Sequence, residues 1–208
     1  SEEIKAVAQF DNEALTVTLG NGYNACISHF EEGILTIPGN YDNYKVVIGP
    51  MAFRFCSYLT EVRIQDGVET IGDYAFQNCS GLTSVTVPNS VTSIGTQAFI
   101  DCNGLTSIAV VSGNTIYDSR NNCNAIIKRA TNTLIAGCMN TIIPNTVTSI
   151  GNYAFYKCYL SNVSIPNSIT SIGVSAFEDC MGPYSIDIPN SVTTICQYAF
   201  RSCSELNS

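Results

Sequence analysis

The sequence predicts a β-rich α/β solenoid, which is a right-handed superhelix with a parallel concave sheet, short second strands and short convex helices. The dipeptide Ala-Phe recurs at spacings of 23, 23, 56, 22 and 23 residues, at Phe53, Phe76, Phe99, Phe155, Phe177 and Phe200. Each Phe is followed three positions later by Cys. One such copy cannot bury its own apolar face, so the copies must stack. Equivalent strands then become parallel neighbours about 4.8 Å apart.

The first part of each copy predicts two short strands. Leu82, Val85 and Val87 follow an L-x-x-V-x-V spacing, and the last two alternate as residues of a β-strand do. The Pro-Asn-Ser sequence at residues 88–90 is typical of a turn and ends this strand. Residues 91–94 then form a second short apolar segment.

The second part of each copy predicts a short helix. Gly95 permits a sharp change of direction, and the following residues 96–102 are long enough for about two helical turns. Ala98, Phe99 and Cys102 would share one helix face by the i, i+3, i+4 rule. The stacked copies therefore predict a continuous core of Leu, Val or Ile, Phe, Ala and Cys.

The full motif L-T-S-[VI]-x-[VI]-P-N-[ST]-[VI]-T-S-I-G-x-x-A-F-x-x-C resembles the BspA-type leucine-rich repeats, with about 23 residues per copy. The resemblance covers approximately residues 33–206. It implies a leucine-rich-repeat superhelix in a surface-exposed or secreted protein of a host-associated bacterium or a protozoan parasite. The function that it implies is adhesion or protein binding, without catalysis.

The two ends of the chain differ from the repeats. Residues 1–32 lack the motif and predict an N-terminal β cap, in which Val17 and Leu19 alternate before the turn Gly20-Asn21-Gly22 and a second alternating segment at residues 23–27. The solenoid is predicted over residues 33–208. At its end, Leu206 begins a strand that the sequence does not complete. Either the last coil is open or the chain is a fragment of a longer protein, and we favour the fragment.

The spacing of 56 residues between two copies predicts an inserted β-hairpin island at about residues 110–138. Short alternating segments around Tyr117 and Leu134 are joined by polar turns, as in a small meander. The resemblance implies the same, since such islands occur in the family. When the sequence is aligned on Pro144, Cys138 takes the position that Leu82 holds, which predicts that Cys138 is a core residue.

Composition excludes several classes of function. The chain has 17 acidic and 9 basic residues, a net charge of −8, and this balance argues against nucleic-acid binding. No apolar run reaches the roughly 18 residues that a membrane span needs. Residues 1–75 carry 11 acids and 4 bases, which indicates either a solvated acidic end or a patch for a basic partner.

Ten cysteines raise the question of a metal or a disulfide framework. No C-x-x-C pair occurs, so we predict no zinc site and no metal. Stacked equivalents would lie within disulfide range but with parallel Cβ vectors, and the favoured interpretation is a buried, reduced ladder. Cys26, Cys123 and Cys196 lie outside the ladder, and Cys123, in a polar turn, is predicted as the most exposed thiol.

We predict that the protein is not an enzyme and binds no cofactor. Its single histidine, His29, is the one residue around which a Ser-His or Cys-His arrangement could form. His29 lies beside Glu31 and Glu32, and a polar residue entering the first coil is a simpler interpretation than a metal ligand or a general base. No G-x-S-x-G, P-loop or H-E-x-x-H motif occurs.

The strand positions that face away from the core are the candidate binding site, because the extended sheet is the usual binding surface of a solenoid. Most of these side chains are small and hydroxylic, with few aromatic or Arg anchors, so a solvated face without a ligand stays an open alternative. The positions are Thr60, Glu61, Arg63, Thr83, Ser84, Thr86, Thr106, Ser107, Ser161, Asn162, Ser164, Tyr184, Ser185 and Asp187.

The sequence therefore predicts an extracellular or cell-surface module that binds a protein or a glycan, with host extracellular matrix as one candidate partner. The alternative is a structural spacer that presents other domains of a surface protein. Neither hypothesis requires a catalytic residue.

Overall fold

The computed structural model describes residues 8–11, 16–19, 33–160, 162–182 and 185–206. The chain divides into two compact units, Ser1–Gly104 and Leu105–Ser208. Each unit is a β-solenoid built from stacked coils.

The first unit contains two sheets. The parallel strands β3, β6 and β8 pair in the order β3-β6-β8, which we call the first sheet. Strands β6 and β8 come from L-x-x-V-x-V segments, and β3 contains the equivalent alternating residues Leu35 and Ile37. The other sheet has the order β1-β2-β5-β7-β9, with β4 paired to β5. Its last members are the predicted short second strands. The strands are β1 (Ala8–Asp11), β2 (Thr16–Leu19), β3 (Ile34–Ile37), β4 (Asn40–Tyr41), β5 (Tyr44–Ile48), β6 (Glu61–Ile64), β7 (Thr70–Ile71), β8 (Ser84–Val87) and β9 (Ser93–Ile94).

The second unit contains the island and the later coils. Its sheet has the order β11-β12-β13-β14-β15-β16, antiparallel from β11 to β13 and parallel from β13 to β16. The elements are β10 (Ser107–Val110), β11 (Tyr117–Asp118), a 3-10 turn (Arg120–Asn122), β12 (Ala125–Lys128), β13 (Thr133–Gly137), β14 (Ser149–Ile150), β15 (Ser171–Ile172) and β16 (Thr194–Ile195).

The predicted N-terminal hairpin falls mostly on residues that the structure does not describe. Strand β2 pairs antiparallel with β1 and parallel with β5. The predicted turn at residues 20–22 and the second alternating segment at residues 23–27 lie outside the described residues.

A ladder of stacked phenylalanine rings forms the centre of each unit. In the first unit, the ring of Phe76 lies 5.3 Å from Phe53 and 5.4 Å from Phe99, with nearly parallel planes. In the second unit, Phe177 lies 5.0 Å from Phe155 and 5.2 Å from Phe200. Phe76 and Phe177 are fully buried. Since these are the Ala-Phe positions of the repeat, the period in the sequence does identify the core.

The prediction of short convex helices is wrong. The A-F-x-x-C segments are runs of consecutive turns, for example at residues 73–78 and 174–179. Within each run, alternate N–H groups donate to the carbonyl three residues earlier, as Ala75 does to Gly72. The intervening N–H groups donate to the following coil, as Phe76 does to Ala98 at 2.8 Å. Half of the N–H groups are therefore unavailable for the i to i−4 bonds of an α-helix.

Residues with positive φ allow successive N–H groups to point alternately to their own coil and to the following coil. Two non-glycine residues of each run have positive φ, such as Tyr74 (55°) and Asn78 (59°). These residues flank the Ala-Phe dipeptide on either side, and the pattern repeats in all six copies. A positive φ is energetically costly for residues other than glycine. The inter-coil hydrogen bonds and the buried Phe side chain offset this cost and hold the backbone in this conformation.

In five of the six copies a glycine precedes the turn run, and it allows the backbones of neighbouring coils to approach closely. A Cβ on Gly72 would lie 2.5 Å from the carbonyl carbon of Gly49 in the preceding coil, nearer than any real contact. The φ of Gly72 is not positive, so the change of direction predicted for this position does not require glycine. The coils pack backbone against backbone at this corner, and a side chain would separate them.

Four of the six cysteines at the repeat position, Cys56, Cys79, Cys102 and Cys180, are buried, and the ladder is not purely apolar. The thiol of Cys79 donates to the carbonyl oxygen of Phe53 in the preceding coil at 3.0 Å. Cys180 donates in the same way to Phe155 at 2.9 Å, and Cys203 donates to Phe177 at 3.0 Å. Each of these carbonyls already accepts a backbone N–H, as Phe53 O does from Cys56, so the thiol adds a second hydrogen bond that an alanine could not donate.

Two predictions about the cysteines are wrong. Cys56, the first member of the ladder, is disulfide-bonded rather than reduced. Cys123 is 1% exposed, because it follows the 3-10 turn and packs into the core of the second unit, so it is not the most accessible thiol. Among the described cysteines, Cys158, Cys196 and Cys203 are the half-buried ones. Cys138 is buried, as its alignment with Leu82 predicts.

Candidate binding face of the first sheet

The strands of the first sheet alternate between core and surface. In β6, Val62 and Ile64 are buried, whereas Glu61 is half-buried and Arg63 is exposed. Strand β8 repeats the pattern, with Ser84 and Thr86 directed outward. The alternation arises because successive side chains of a strand point to opposite faces.

Parallel pairing brings the outward side chains of the first unit into two rows. Glu61 is paired with Ile34 on one side and with Ser84 on the other. These three form one row, and the second row consists of Thr36, Arg63 and Thr86. Neighbouring members of a row lie about 4.8 Å apart across the strands, so a ligand can contact all three together.

The charges of this face lie on a single strand. Arg63 donates to both carboxylate oxygens of Glu61, at 2.6 Å from Nε and 3.0 Å from Nη2. These hydrogen bonds lower the pKa of the Glu61 carboxyl and raise the pKa of the Arg63 guanidinium. Both groups are exposed to solvent, so the pair adds little stability, and it presents a nearly neutral charge pair to a ligand.

The two outward threonines before the strands contribute to the fold itself. Thr83 Oγ1 donates to the carbonyl oxygen of Thr60 at 2.9 Å, and Thr60 Oγ1 donates to that of Gly33 at 3.3 Å. Their hydroxyl protons are therefore used between coils. Among the described residues, none forms a hydrogen bond with the hydroxyl groups of Ser84 and Thr86, which can therefore hydrogen-bond a ligand.

In the second unit, the predicted positions lie on the surface but most are not on strands. Ser107 is exposed on β10, and Thr106 before it is half-buried. Asn162, Ser164, Ser185 and Asp187 are exposed, and the intervening apolar residues point into the core. Ser161 and Tyr184 lie outside the described residues.

The expectation that these later segments continue the parallel sheet is wrong for residues 162–166 and 185–189, where the structure shows no strand. Residues 162–166 follow a shorter spacing between the repeat-position Cys and the leucine than β8 does. This spacing is three residues from Cys79 to Leu82 but two from Cys158 to Leu160. The backbone there pairs through Tyr159 and Met181, and Leu160 donates to the Met181 carbonyl at 3.0 Å. The turn before residues 162–166 is thus one residue shorter than the turn before β8.

Sequence reasoning missed three outward residues. Ile34 and Thr36 complete the two rows on β3, and Ile142, at the position equivalent to Thr86, is 74% exposed. Alignment on the repeat proline, which is Pro38 in one coil and Pro144 in the other, would have identified Thr36 and Ile142. Ile142 is a large apolar side chain at a position where the first unit has Thr36, Arg63 and Thr86.

The described residues contain no group of three or more His, Cys, Asp or Glu side chains arranged to hold a metal ion. None of the residues described here forms a helix with the length and apolarity that a bilayer crossing requires.

Comparison with known proteins identifies the repeat family of the chain. The family model described as a BspA type leucine rich repeat region, in six copies, matches residues 35–134 and 131–208. No curated protein matches the chain.

Several solved structures share the fold. The pneumococcal vaccine antigen PcpA is 26% identical with a TM-score of 0.72, over 83% of this chain and 43% of that one. A leucine rich cell surface protein from Faecalibacterium prausnitzii is 28% identical with a TM-score of 0.61, over 83% and 52%. A leucine-rich repeat protein from Eubacterium ventriosum is 22% identical with a TM-score of 0.69, over 91% and 56%, and shows the fold alone. The chain thus spans about half the length of these proteins.

Proposed function

Because the chain belongs to the family of BspA-type leucine-rich repeat proteins, we propose that it is a non-catalytic adhesion module of a secreted or cell-surface protein. In this proposal it binds a protein or a glycan through the outward positions of its first sheet and the equivalent outward positions of its second unit. The names of two similar proteins, a vaccine antigen and a cell surface protein, support a place outside the cell.

The observation that carries the proposal is the pair of rows across β3, β6 and β8. Three hydrogen-bonded strands hold hydroxyl, carboxylate and guanidinium groups at fixed spacing on a sheet whose other face is buried. A ligand that contacts these groups meets donors and acceptors that lose little side-chain entropy, since Ser and Thr have few rotamers. Rigid presentation reduces the entropic cost of binding.

The chemistry of the rows predicts modest affinity. The first sheet offers no aromatic side chain at its described outward positions, and its one Arg is already paired with Glu61. Interfaces without such anchors bind weakly, so we expect a single module to bind in about the micromolar range. Charge pairs contribute little, and affinity should change by less than about twofold between low and high salt.

The test measures binding of the protein to fibronectin, to type I collagen and to a glycan array. The variant Thr86→Lys with Ser164→Lys places a bulky charge at one outward position of each unit, where stability should not change. The matched control is Thr92→Lys with Thr170→Lys, which alters exposed threonines on other segments of the coils. We expect the first variant to lose binding by at least about tenfold and the control to keep it.

The spacer hypothesis is favoured by a specific observation, namely the small size of the outward side chains and the use of the Thr60 and Thr83 hydroxyls within the fold. If no matrix protein or glycan binds, or if both double variants bind as the parent does, the outward face is not a ligand site. The spacer function is then the better account.

A further inference from the structure

A cleft of about 520 Å³ lies in the second unit, beside the island strands β11 and β12. Its walls include Ser112, Asn122 and a cluster of three charged residues, Asp118, Arg120 and Arg129. None of these belongs to the outward positions of the repeat strands, so the cleft is a separate feature.

The charged cluster is built around one carboxylate. The Asp118 side chain is 10% exposed and receives two hydrogen bonds from Arg120, both of 2.8 Å, from Nε to Oδ1 and from Nη2 to Oδ2. Arg120 also donates from Nη1 to Asn132 Oδ1 at 2.9 Å. Arg120 is thereby held in one orientation, and its charge is balanced by Asp118.

Arg129 supplies a second positive charge to the same carboxylate. Its Nη1 lies 3.4 Å from Asp118 Oδ2, and its Nε donates to the carbonyl oxygen of Tyr117 at 3.1 Å. The Arg129 side chain is 43% exposed. Within the described part of the chain, no oxygen atom accepts a hydrogen bond from its Nη2 group. Two guanidinium groups share one carboxylate, so the cluster carries a net charge of about +1 on the cleft wall.

The positive charge of this cluster contrasts with the net negative charge of the whole chain. The protein has a net charge of −8, yet residues 105–150 contain three basic residues and one acidic residue. The island is therefore a positive segment in an acidic protein, and it attracts an anion that the acidic residues 1–75 repel.

The cleft wall is also held rigidly before a ligand arrives. The Ser119 hydroxyl donates to the carbonyl oxygen of Ala125 at 2.6 Å and accepts from the Val110 N–H at 3.0 Å. The Asn114 side chain accepts from the N–H groups of Ile116 and Tyr117. These bonds fix the segments on both sides of the cleft, so binding requires little reorganisation.

We propose that this cleft binds a carboxylate-bearing sugar, with Arg129 as the residue that recognises the acid group. The Nη2 group of Arg129 donates to the sugar carboxylate. Ser112 and Asn122 are exposed at the cleft and offer hydroxyl and amide groups for the sugar hydroxyls. A volume of about 520 Å³ accommodates a monosaccharide or a disaccharide.

The lining favours a sugar over an acidic peptide. Val110 is the apolar side chain among the lining residues, so the cleft has no pocket for an apolar anchor residue. Peptides gain most of their affinity from such pockets or from a long free strand edge. Strand β11, which forms the edge of the island sheet, has two residues and offers little edge for strand addition.

The test is an NMR titration of the whole chain with sodium glucuronate, with N-acetylneuraminate and with the neutral sugar glucose. We expect at least one acidic sugar to bind about tenfold or more tightly than glucose, with shifts at the amides of Ser112 and Arg129. Arg129→Gln should weaken that binding about tenfold, while Lys128→Gln, a neighbouring exposed cation outside the cleft lining, should change it less than about twofold. Raising the salt concentration from about 0.05 M to 0.5 M should weaken it several-fold.

A second variant tests the cleft without changing the charged cluster. Ser112→Tyr leaves Asp118, Arg120 and Arg129 unchanged, fills the cleft and should also weaken binding about tenfold. Three results would overturn the proposal: equal binding of acidic and neutral sugars, equal effects of Arg129→Gln and Lys128→Gln, or no binding of either acidic sugar. Binding of a tetra-aspartate peptide without sugar binding would assign the cleft to a peptide instead.

Discussion

The two units carry the same repeat motif, yet the L-x-x-V-x-V segments that follow the island behave differently from those of the first unit. In the first unit, β3, β6 and β8 pair in register, whereas residues 162–166 and 185–189 of the second unit form no strand. The Phe ladder and the turn runs are nevertheless the same in both units. Burial is also preserved, since Val163 and Ile165 are each 6% exposed.

This difference separates two requirements of a solenoid coil. Apolar residues at alternate positions are sufficient to direct side chains into the core. Hydrogen bonding between neighbouring strands also needs the same number of residues between the repeat-position Cys and the strand in successive coils. The deletion between Cys158 and Leu160 removes that equality. In the next coil the leucine position is Pro183, which has no N–H to donate.

The largest expected effect concerns the feature that both units share. Phe76→Ala and Phe177→Ala should each lower the free energy of unfolding by about 3–5 kcal/mol, as truncation of a fully buried Phe does. Each ring stacks between two neighbours. Phe200→Ala should cost clearly less, because its ring is half-buried and has one described ring neighbour. Urea unfolding curves of the three variants measure these differences, and an equal loss for Phe200→Ala would contradict the stacked-ladder account.

A smaller effect concerns the thiols beside that ladder. Burial raises the pKa of the Cys180 thiol above its ordinary value of 9.0, so the folded protein keeps this thiol neutral while the unfolded chain ionises it. Its contribution to stability is complete below pH 9 and is lost as the pH rises toward the folded pKa. Between pH 9 and 10.5, the parent should therefore lose about 1–2 kcal/mol more stability than Cys180→Ala.

Cys203→Ala is the matched control for the thiol prediction. Burial also raises the pKa of Cys203, but this thiol is half-buried, so its removal should change the alkaline loss of stability less. Urea unfolding at each pH provides the measurement. Parallel pH profiles for the parent and Cys180→Ala would show that the Cys180 thiol is not protected from ionisation in the folded state.

The smallest expected effect tests the difference between the units directly. Insertion of one Ser between Tyr159 and Leu160 restores the three-residue spacing that precedes the strands of the first sheet. We expect new backbone hydrogen bonds, each worth about 0.5–1.5 kcal/mol, and about two- to tenfold slower amide exchange at Val163 and Ile165. The control inserts the same Ser between Asn167 and Ser168, where it cannot restore this spacing. Equal exchange rates in the two insertion variants would show that the turn length does not decide strand pairing.

The repeat in the sequence predicts the solenoid, its short second strands and the residues of its core, because stacking is the one way in which such short units can bury Phe, Ala and Leu. The alternation of apolar residues likewise predicts which side chains of the candidate face point outward, as Arg63, Thr86 and Ser164 do. It does not predict that Ser164 lies outside a paired strand, since pairing depends on the spacing in two coils at once.

The tertiary structure alone decided the backbone of the A-F-x-x-C segments. Apolar residues at positions i, i+3 and i+4 suit a helix, but they also suit successive turns whose alternate N–H groups reach another coil. The acceptor for the Phe76 N–H is the carbonyl of Ala98, which is brought close only when the coils stack. For the same reason, the juxtaposition of Arg129 with Asp118 in the island became visible only in three dimensions. Contacts between residues that are distant in the chain depend on how the segments pack together. The apolar pattern of one segment predicts only which of its own side chains are buried.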